Sequence, residues 1–574
     1  MKKLINDPRA VVREMLEGLV DLHPGQALLE GENVILRADL PGFLQRHEVA
    51  VISGGGSGHE PAHAGYVGHG MLHAAVCGDV FTSPSADAVL AAIRAVSGPK
   101  GALLIVKNYT GDRLNFGLAA ELARAEGLPV EIVVVADDVS LRDTVEPARR
   151  RGIAGTVLVH KVAGAASAAG KELAEVASLA RAAADGVGSM GVALGACTVP
   201  AAGRPGFTLE ESEAELGLGI HGERGVRRVP MASADAFVTA ILDSILDDAG
   251  LQPGAHVALL VNGLGGTTPM ELAVVARKAF ALLRERGMQV VRAWSGNLLT
   301  ALEMPGCSLS LLALDDELLQ ALDAATDAPA WPGAGAVAPR VIVPVPSEPD
   351  AHALDADSRA QPALREAVLA IAAAFEAEEE RLTALDSGAG DGDLGISFVR
   401  GAAALRALPE AAFGAPGVAL SAMSDALRRA IAGSSGPFYA TALLRAARYL
   451  GGAAEPALQD WAQAFLIAVD SVSELGGAKP GDRTMFDALR PAADAFAQAI
   501  EAGKDGASAW RAALEAAEAG TAATAQMTPR LGRASYVGAR AIGIPDAGAS
   551  AVVVWMRAIA KRLNENKIRS DGSV

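Results

Sequence analysis

Apolar positions fall into two textures along the chain. In the first, short runs rich in Val, Ile and Leu alternate with longer stretches of helical spacing. Val49–Ile52, Ala102–Val106, Glu131–Val135, Thr156–Val159 and Val257–Val261 read as buried strands. Gly170–Ala184 and Met270–Gly287 carry the helical spacing. This alternation predicts an α/β domain with a largely parallel sheet over residues 1–330. After Pro362 the strand signal nearly vanishes. Long Ala/Leu-rich periodic stretches, broken by Gly-containing loops, predict an all-α domain over residues 361–574. Between the two the chain is dense in Pro, Ala, Gly and Asp, and residues 331–360 read as an interdomain linker. Val341–Val345 within it has the pattern of a stray edge strand. The tail NENKIRSDGSV is polar and reads as frayed.

Composition narrows the class. Apolar residues make up 51% of the 574 positions and aromatics only 4%, so Ala, Val and Leu supply the core and a disordered chain is excluded. The net charge of −17 repels phosphate backbones and anionic lipid, which argues against a nucleic-acid partner. The three cysteines, Cys77, Cys197 and Cys307, are widely spaced with no CxxC, so neither a disulfide framework nor a zinc site is expected, and a cytoplasmic setting fits. Asp7, Pro8 and Arg9 break up the N-terminal segment, which does not read as a signal peptide, and no apolar run reaches the roughly 18 residues of a membrane span.

In open parallel sheets, ligands bind beyond the C-terminal ends of strands. Three predicted strands end in chemistry-bearing segments: SGGGSGHEP (53–61), KNYTGD (107–112) and NGLGGTTP (262–269). If those strands are neighbours, the loops meet at one edge. A tight turn also accounts for the glycines, and a surface ion pair accounts for Lys107 and Asp112. Asp137 and Asp138 follow a strand and read as a turn or helix cap. His221 lies between glycines and carboxylates, where a solvated histidine is the bland reading.

LDSGAGDGDLG (385–395) is the sharpest motif. It puts Asp386, Asp391 and Asp393 in one glycine-rich loop between helical stretches. Carboxylates this close repel each other unless a cation joins them, and hard oxygen ligands suit Mg²⁺ or Ca²⁺. An EF-hand needs glycine at the sixth position from Asp391, where Ile396 stands, so Mg²⁺ holding a polyphosphate is the better reading. AGSSGPFY (432–439) and GGAKPGDRT (476–484) are further small-residue loops before helices, where exposed backbone N–H groups favour phosphate. GxxxxGK[ST] is absent; Gly164, Gly170 and Lys171 have the wrong spacing, and Glu172 follows.

These segments, in this order, resemble the single-chain dihydroxyacetone (glycerone) kinases over nearly the whole length. GGGSGHEP, KNYTGD and GLGIHGE are similar to motifs of that family's substrate-binding K domain. DSGAGDGDLG, AGSSGPFY, GAKPGDRT and GRASYVG are similar to motifs of its nucleotide-binding L domain, a barrel of antiparallel helices. The resemblance implies an ATP-dependent kinase in which His221 holds the substrate carbonyl as a hemiaminal. Gly56, Ser57, Gly58 and His59 would surround the substrate, with His59 also a catalytic candidate. Lys107 and Asp112 would contact it, Asp112 as base for the attacking hydroxyl. It also implies two Mg²⁺ ions on Asp386, Asp391 and Asp393. ATP contacts would come from Gly390, Gly392, Ser434, Ser435, Gly436, Gly477, Arg483, Thr484 and Asp546. Family homodimers set one subunit's K domain against the other subunit's L domain.

One departure is visible. The family often reads DPGA where this chain has Asp546-Ala547-Gly548-Ala549, leaving that nucleotide-side loop less rigid. The family also holds kinases for glyceraldehyde and erythrulose, and animal relatives that cleave FAD to a cyclic nucleotide; nothing in these residues decides that activity. More distant readings are a phosphocarrier-dependent component and a non-catalytic carbonyl sensor.

Overall fold

The computed structural model describes residues 2–223, 225–346, 360–388, 390–532 and 534–571. The chain divides into two compact units, residues 1–342 and 343–574. Among the described residues of the first unit, twelve strands form two six-stranded sheets. The first contains β1 (Gln26–Leu28), β2 (Val34–Arg37), β3 (Ala50–Ser57), β4 (Ala74–Val80), β5 (Ala102–Lys107) and β6 (Val130–Val135), ordered β1-β2-β4-β3-β5-β6. The expected parallel pairing is concentrated here: β4, β3, β5 and β6 run parallel. The second contains β7 (Val187–Ala193), β8 (Glu213–Leu216), β9 (Arg227–Pro230), β10 (His256–Gly263), β11 (Gln289–Gly296) and β12 (Gly306–Ala313), ordered β11-β10-β12-β7-β8-β9. Only its β10–β11 pair is parallel.

Period-two alternation explains the layering. On β5, Leu103 and Ile105 face one core, while Ala102, Leu104 and Val106 face the helices Ala86–Val96 and Thr110–Ala125. On β10, Ala258 and Leu260 join the same core as Leu103, while Val257, Leu259 and Val261 pack on Ala234–Ala249 and Pro269–Glu285. The shared core therefore joins the two sheets. The second of those helices starts where a capping box dictates: Thr268 Oγ1 accepts from Glu271 N, the Glu271 carboxylate accepts from Thr268 N, and Pro269 opens the first turn.

Thr156–Val159, expected as a strand, is the start of a helix, Thr156–Ala168, in that shared core. Every residue from Thr156 to Ser167 is buried. Its first turn, Thr156–Val159, is buried on every side and rich in β-branched residues, so that short window matches a buried strand.

The glycines after Ile52 also depart from expectation. They continue β3, with Gly54, Gly55 and Gly56 opposite Val76, Cys77 and Gly78 of β4. A Cβ on Gly54 would lie 2.3 Å from the Val76 carbonyl oxygen, so only glycine lets the strands approach this closely.

The start of the segment read as linker folds back on the first unit. Trp331 packs on Trp294, whose indole N–H donates to Gly333 O at 2.8 Å. Val341–Val345 forms no strand and is exposed; residues 347–359 lie outside the described residues.

The second unit is all-helical, from Pro362–Ala377 to Ala547–Asp571. Its helices surround an apolar cavity of about 440 Å³ lined by Phe375, Phe398, Tyr439, Phe465, Trp510 and Trp555 among others. No helix among the described residues is long and apolar enough to cross a membrane.

Candidate functional site

The first constellation sits at the C-terminal ends of β3 and β5, as the parallel-sheet rule expects. β5 ends in Lys107, and the helix Thr110–Ala125 carries Asp112 in its first turn. Both side chains are buried, so the surface ion-pair reading fails. Lys107 Nζ donates to Gly54 O at 3.2 Å and to His63 Nε2. Burial lowers the Lys107 pKa, while the Asp112 carboxylate opposes that shift.

His59 follows the glycine strand and is fully buried. Its Nδ1 lies 2.8 Å from Thr300 O, a carbonyl, so that nitrogen carries the proton and donates. The lone pair is then on Nε2, which, like the buried Asp112 Oδ1, has no partner among the described residues. Burial, with the charges of Lys107 and His221 behind it, pushes His59 well below the usual histidine range, so the ring is neutral. Two buried acceptors without a protein partner are costly and mark a place where a donor such as a hydroxyl fits.

The 217–223 segment after β8 brings in His221. Its ring meets three aromatic edges: Tyr109 at 4.4 Å, His59 at 5.0 Å and Phe81 at 5.5 Å between centroids. Desolvation lowers its pKa to about 3, with Lys107 and Arg151 adding to the shift. His221 is thus a neutral imidazole across ordinary pH. Its backbone N–H donates to Glu223 Oε2 at 2.8 Å, and Arg151 ties that loop down through Glu223, Gly217 O and Asp138. Asp138 also accepts from Ser140 N, the cap expected of it.

Sequence expectation and structure differ in detail. Ser57 Oγ donates to Gly78 O at 2.7 Å, which commits that hydroxyl to the backbone. The NGLGGTTP loop belongs to the other sheet, yet Asn262 still acts here. Its side chain accepts from Leu298 N and Leu299 N and donates to Leu299 O, fixing the turn from which Thr300 N donates to His59 O and Leu302 N to Gly58 O. Phe81, Tyr109, Arg151, Glu223 and His63 escaped the sequence reading. Tyr109 and Glu223 lie inside KNYTGD and GLGIHGE; Phe81, Arg151 and His63 gave no local signal.

The second constellation lies in the helical unit. Asp386 lies in the last turn of the helix Glu379–Ser387, and Asp393 precedes Leu394–Arg406. Asp386 Oδ2 accepts from Asp393 N at 3.0 Å and Leu394 N at 3.3 Å. One carboxylate oxygen from each of Asp386, Asp391 and Asp393 falls within 4.8 Å of the others. Three convergent hard donors, two of them on exposed residues, fit Mg²⁺. Gly390 and Gly392 shape the turn, Gly392 at φ +76°.

The other loops gather round this one. Asp546 stands before Ala547–Asp571, accepts from Ala549 N at 2.8 Å and is pushed up to about 6 by burial, with Asp487 and Asp386 adding and Arg483 opposing. The Gly476–Thr484 loop is organised by the carboxylate of Asp487, which accepts from Gly481 N and Thr484 N. Gly476 lies against the ring of Phe438, in the first turns of the helix Ser435–Leu450. That helix begins with exposed Ser434, half-buried Ser435 and buried Gly436. Gly477, at φ +70°, and Thr484 border the same loop. Arg483 points inward instead: it is 1% exposed, and its Nη2 donates to Ala541 O and Ile544 O. Helices opening at Leu394, Ser435, Phe486 and Ala547 thus start from these connected loops, an arrangement suited to phosphate.

The Dak1 domain family matches residues 17–330, and the DAK2 domain family matches residues 388–561. The chain belongs to the dihydroxyacetone kinase family. It is 44% identical over 586 residues to a putative 3,4-dihydroxy-2-butanone kinase of Solanum lycopersicum, covering 98% of both chains. It is also 44% identical over 580 residues to the triokinase/FMN cyclase of Homo sapiens, covering 98% of this chain and 99% of that one. The crystal structure of the dihydroxyacetone kinase from C. freundii in complex with AMP-PNP and Mg²⁺ superposes with a TM-score of 0.63 at 36% identity, over 98% of this chain and 99% of that one. Dihydroxyacetone kinase family architecture, an α/β unit fused to an all-helical unit, is therefore what this chain has.

Proposed function

We propose that this protein transfers the γ-phosphoryl group of ATP to the terminal hydroxyl of dihydroxyacetone. The observation that carries the reading is the group round His221: a neutral imidazole walled by rings, beside the unpartnered His59 Nε2 and Asp112 Oδ1. A neutral imidazole nitrogen has the lone pair needed to add to a ketone carbon. In that step the N–C bond forms, the carbonyl oxygen takes up a proton and the imidazolium gives one up, leaving a hemiaminal. Glycerol has no carbonyl and cannot be anchored this way.

The adduct would hold the terminal hydroxyl against His59 and Asp112, which accept its proton as it attacks. The Lys107 ammonium, buried below, would donate to a substrate oxygen. Asp386, Asp391 and Asp393 would hold Mg²⁺, as a pair of ions on the family pattern. Bound Mg²⁺ supplies charge neutralisation on the phosphates. The helix N-termini at Leu394, Ser435, Phe486 and Ala547 would take the remaining phosphate charge.

A four-carbon ketose is the second reading. A relative named for 3,4-dihydroxy-2-butanone supports it, since a carbonyl anchor is compatible with a longer tail. The test is ATP consumption with Mg²⁺ on dihydroxyacetone, glyceraldehyde, D- and L-erythrulose and glycerol, with His221→Ala as control. Fastest turnover on dihydroxyacetone and none on glycerol is expected. A clear erythrulose preference replaces the substrate, and turnover that survives His221→Ala removes the covalent anchor.

A further inference from the structure

Lys107 poses a problem that its own neighbourhood answers. Its ammonium is completely buried, and among the described residues no carboxylate comes within 4.0 Å of it. A buried charge needs acceptors. One is the Gly54 carbonyl at 3.2 Å, and the other is His63 Nε2. Lys107 makes no third hydrogen bond among the described residues, and the space beside Gly55 adjoins the ammonium. There the point a Gly55 Cβ would occupy is 2.7 Å from Lys107 Nζ and 3.8 Å from Asp112 Oδ1.

His63 can accept only if it is neutral with its proton on Nδ1. Three observations select the neutral ring, and an ammonium donating at Nε2 then leaves the ring's proton on Nδ1, which has no partner among the described residues. The ring is 3% exposed. It packs edge-on against His160 at 5.1 Å, and among the described residues no carboxylate pairs with it. Burial and the Lys107 charge both lower its pKa. His160 is itself neutral and spoken for, with Nε2 3.0 Å from Ser53 Oγ, whose hydroxyl donates to Ile105 O. The proposed mechanism uses neither His63 nor His160.

We propose that His63 is a positioning residue: its neutral imidazole accepts at Nε2 from Lys107 and keeps that ammonium aimed at the oxygen of the carbonyl substrate. The inference rests on the reading of Lys107 as a substrate contact. Without the acceptor, the ammonium loses one of two fixed bonds and is easier to deprotonate. Groups facing Lys107 include Asp112 on the helix after β5, Cys77 on β4 and Asp137 after β6. The histidines His59, His63, His160 and His221 face it too. The carboxylates favour the charged lysine, and the neutral rings do not change charge across the assay range.

The test compares His63→Met, which fills the space without an acceptor, with His63→Gln, which offers an amide oxygen. Lys107→Met is the control. Expected for His63→Met is a KM for the carbonyl substrate raised at least about tenfold and an alkaline limb of kcat/KM shifted down by about one pH unit. His63→Gln should recover most of both. Lys107→Met with unimpaired kinetics would sink the parent reading instead. An impaired Lys107→Met beside an unaltered KM and pH profile in His63→Met would overturn the proposal itself. Should His63→Met fail to fold, nitrogen-15 spectra of histidine-labelled wild-type protein decide. An unprotonated Nε2 on His63 between pH 6 and 9 is expected, and a protonated Nε2 overturns the inference.

Discussion

Gly55 and Lys107 contend for one space: a Cβ on residue 55 would stand 2.7 Å from the lysine Nζ. Gly55 also has φ +149°, a backbone setting that side chains rarely adopt. Gly55→Ala should therefore push the ammonium off its bonds to Gly54 O and His63. A displacement of about 1 Å in a catalytic group costs about 100-fold. We expect a kcat/KM loss of that order with dihydroxyacetone, measured by steady-state kinetics, alongside an unchanged KM for ATP, whose proposed contacts are in the other unit.

The buried histidines make the α/β unit acid-sensitive. His160 in the folded protein titrates at about 3, against an ordinary 6.5. Below 6.5 the unfolded chain takes up a proton that the folded chain refuses. Stability is then fully present above 6.5 and is lost as pH falls toward 3. At pH 5 this one residue costs about 2 kcal/mol. His160→Gln, which keeps a donor for Ser53, should remove that share. Urea midpoints at pH 7.5 and pH 5 would read the difference.

The carboxylate loop gives a metal prediction. Asp391→Asn removes one of three convergent charged donors. Phosphorylation should fall by more than the 10- to 100-fold typical of outer-shell changes around a metal. Asp393→Asn should instead be partly rescued by raised Mg²⁺. Binding of dihydroxyacetone, followed by calorimetry, should be unaltered in both. Full turnover in Asp391→Asn would remove that residue from the metal site.

Ala547 occupies the first position of the last helix, where the family often has proline and where a backbone N–H has no intrahelical partner. Proline there narrows the unfolded ensemble without giving up a helical bond. Ala547→Pro should stabilise the helical unit by about 0.4–1 kcal/mol, seen as a higher melting temperature in calorimetry.

The chain by itself determined the two fold classes, because each rests on a local pattern: short Val/Ile/Leu-rich runs alternating with helical stretches before residue 330, and helical periodicity alone after 361. It also displayed the motifs with their own composition, such as the three aspartates in ten residues and the glycine run before His59. What it did not display depends on which distant segments share a core. Thr156–Ala168 is a helix because it is buried on every side between two sheets, a fact absent from any short window. Arg483 stands among the ATP contacts that the resemblance implies, yet its Nη2 turns inward to carbonyls 58 and 61 residues away. His221 is separated from His59 by 162 positions, and its neutrality comes from desolvation and from Lys107 and Arg151, neighbours supplied only by the tertiary fold. Titration and orientation depend on surroundings in three dimensions, so the reactive state of each histidine was decided by packing, while its presence was written in the chain.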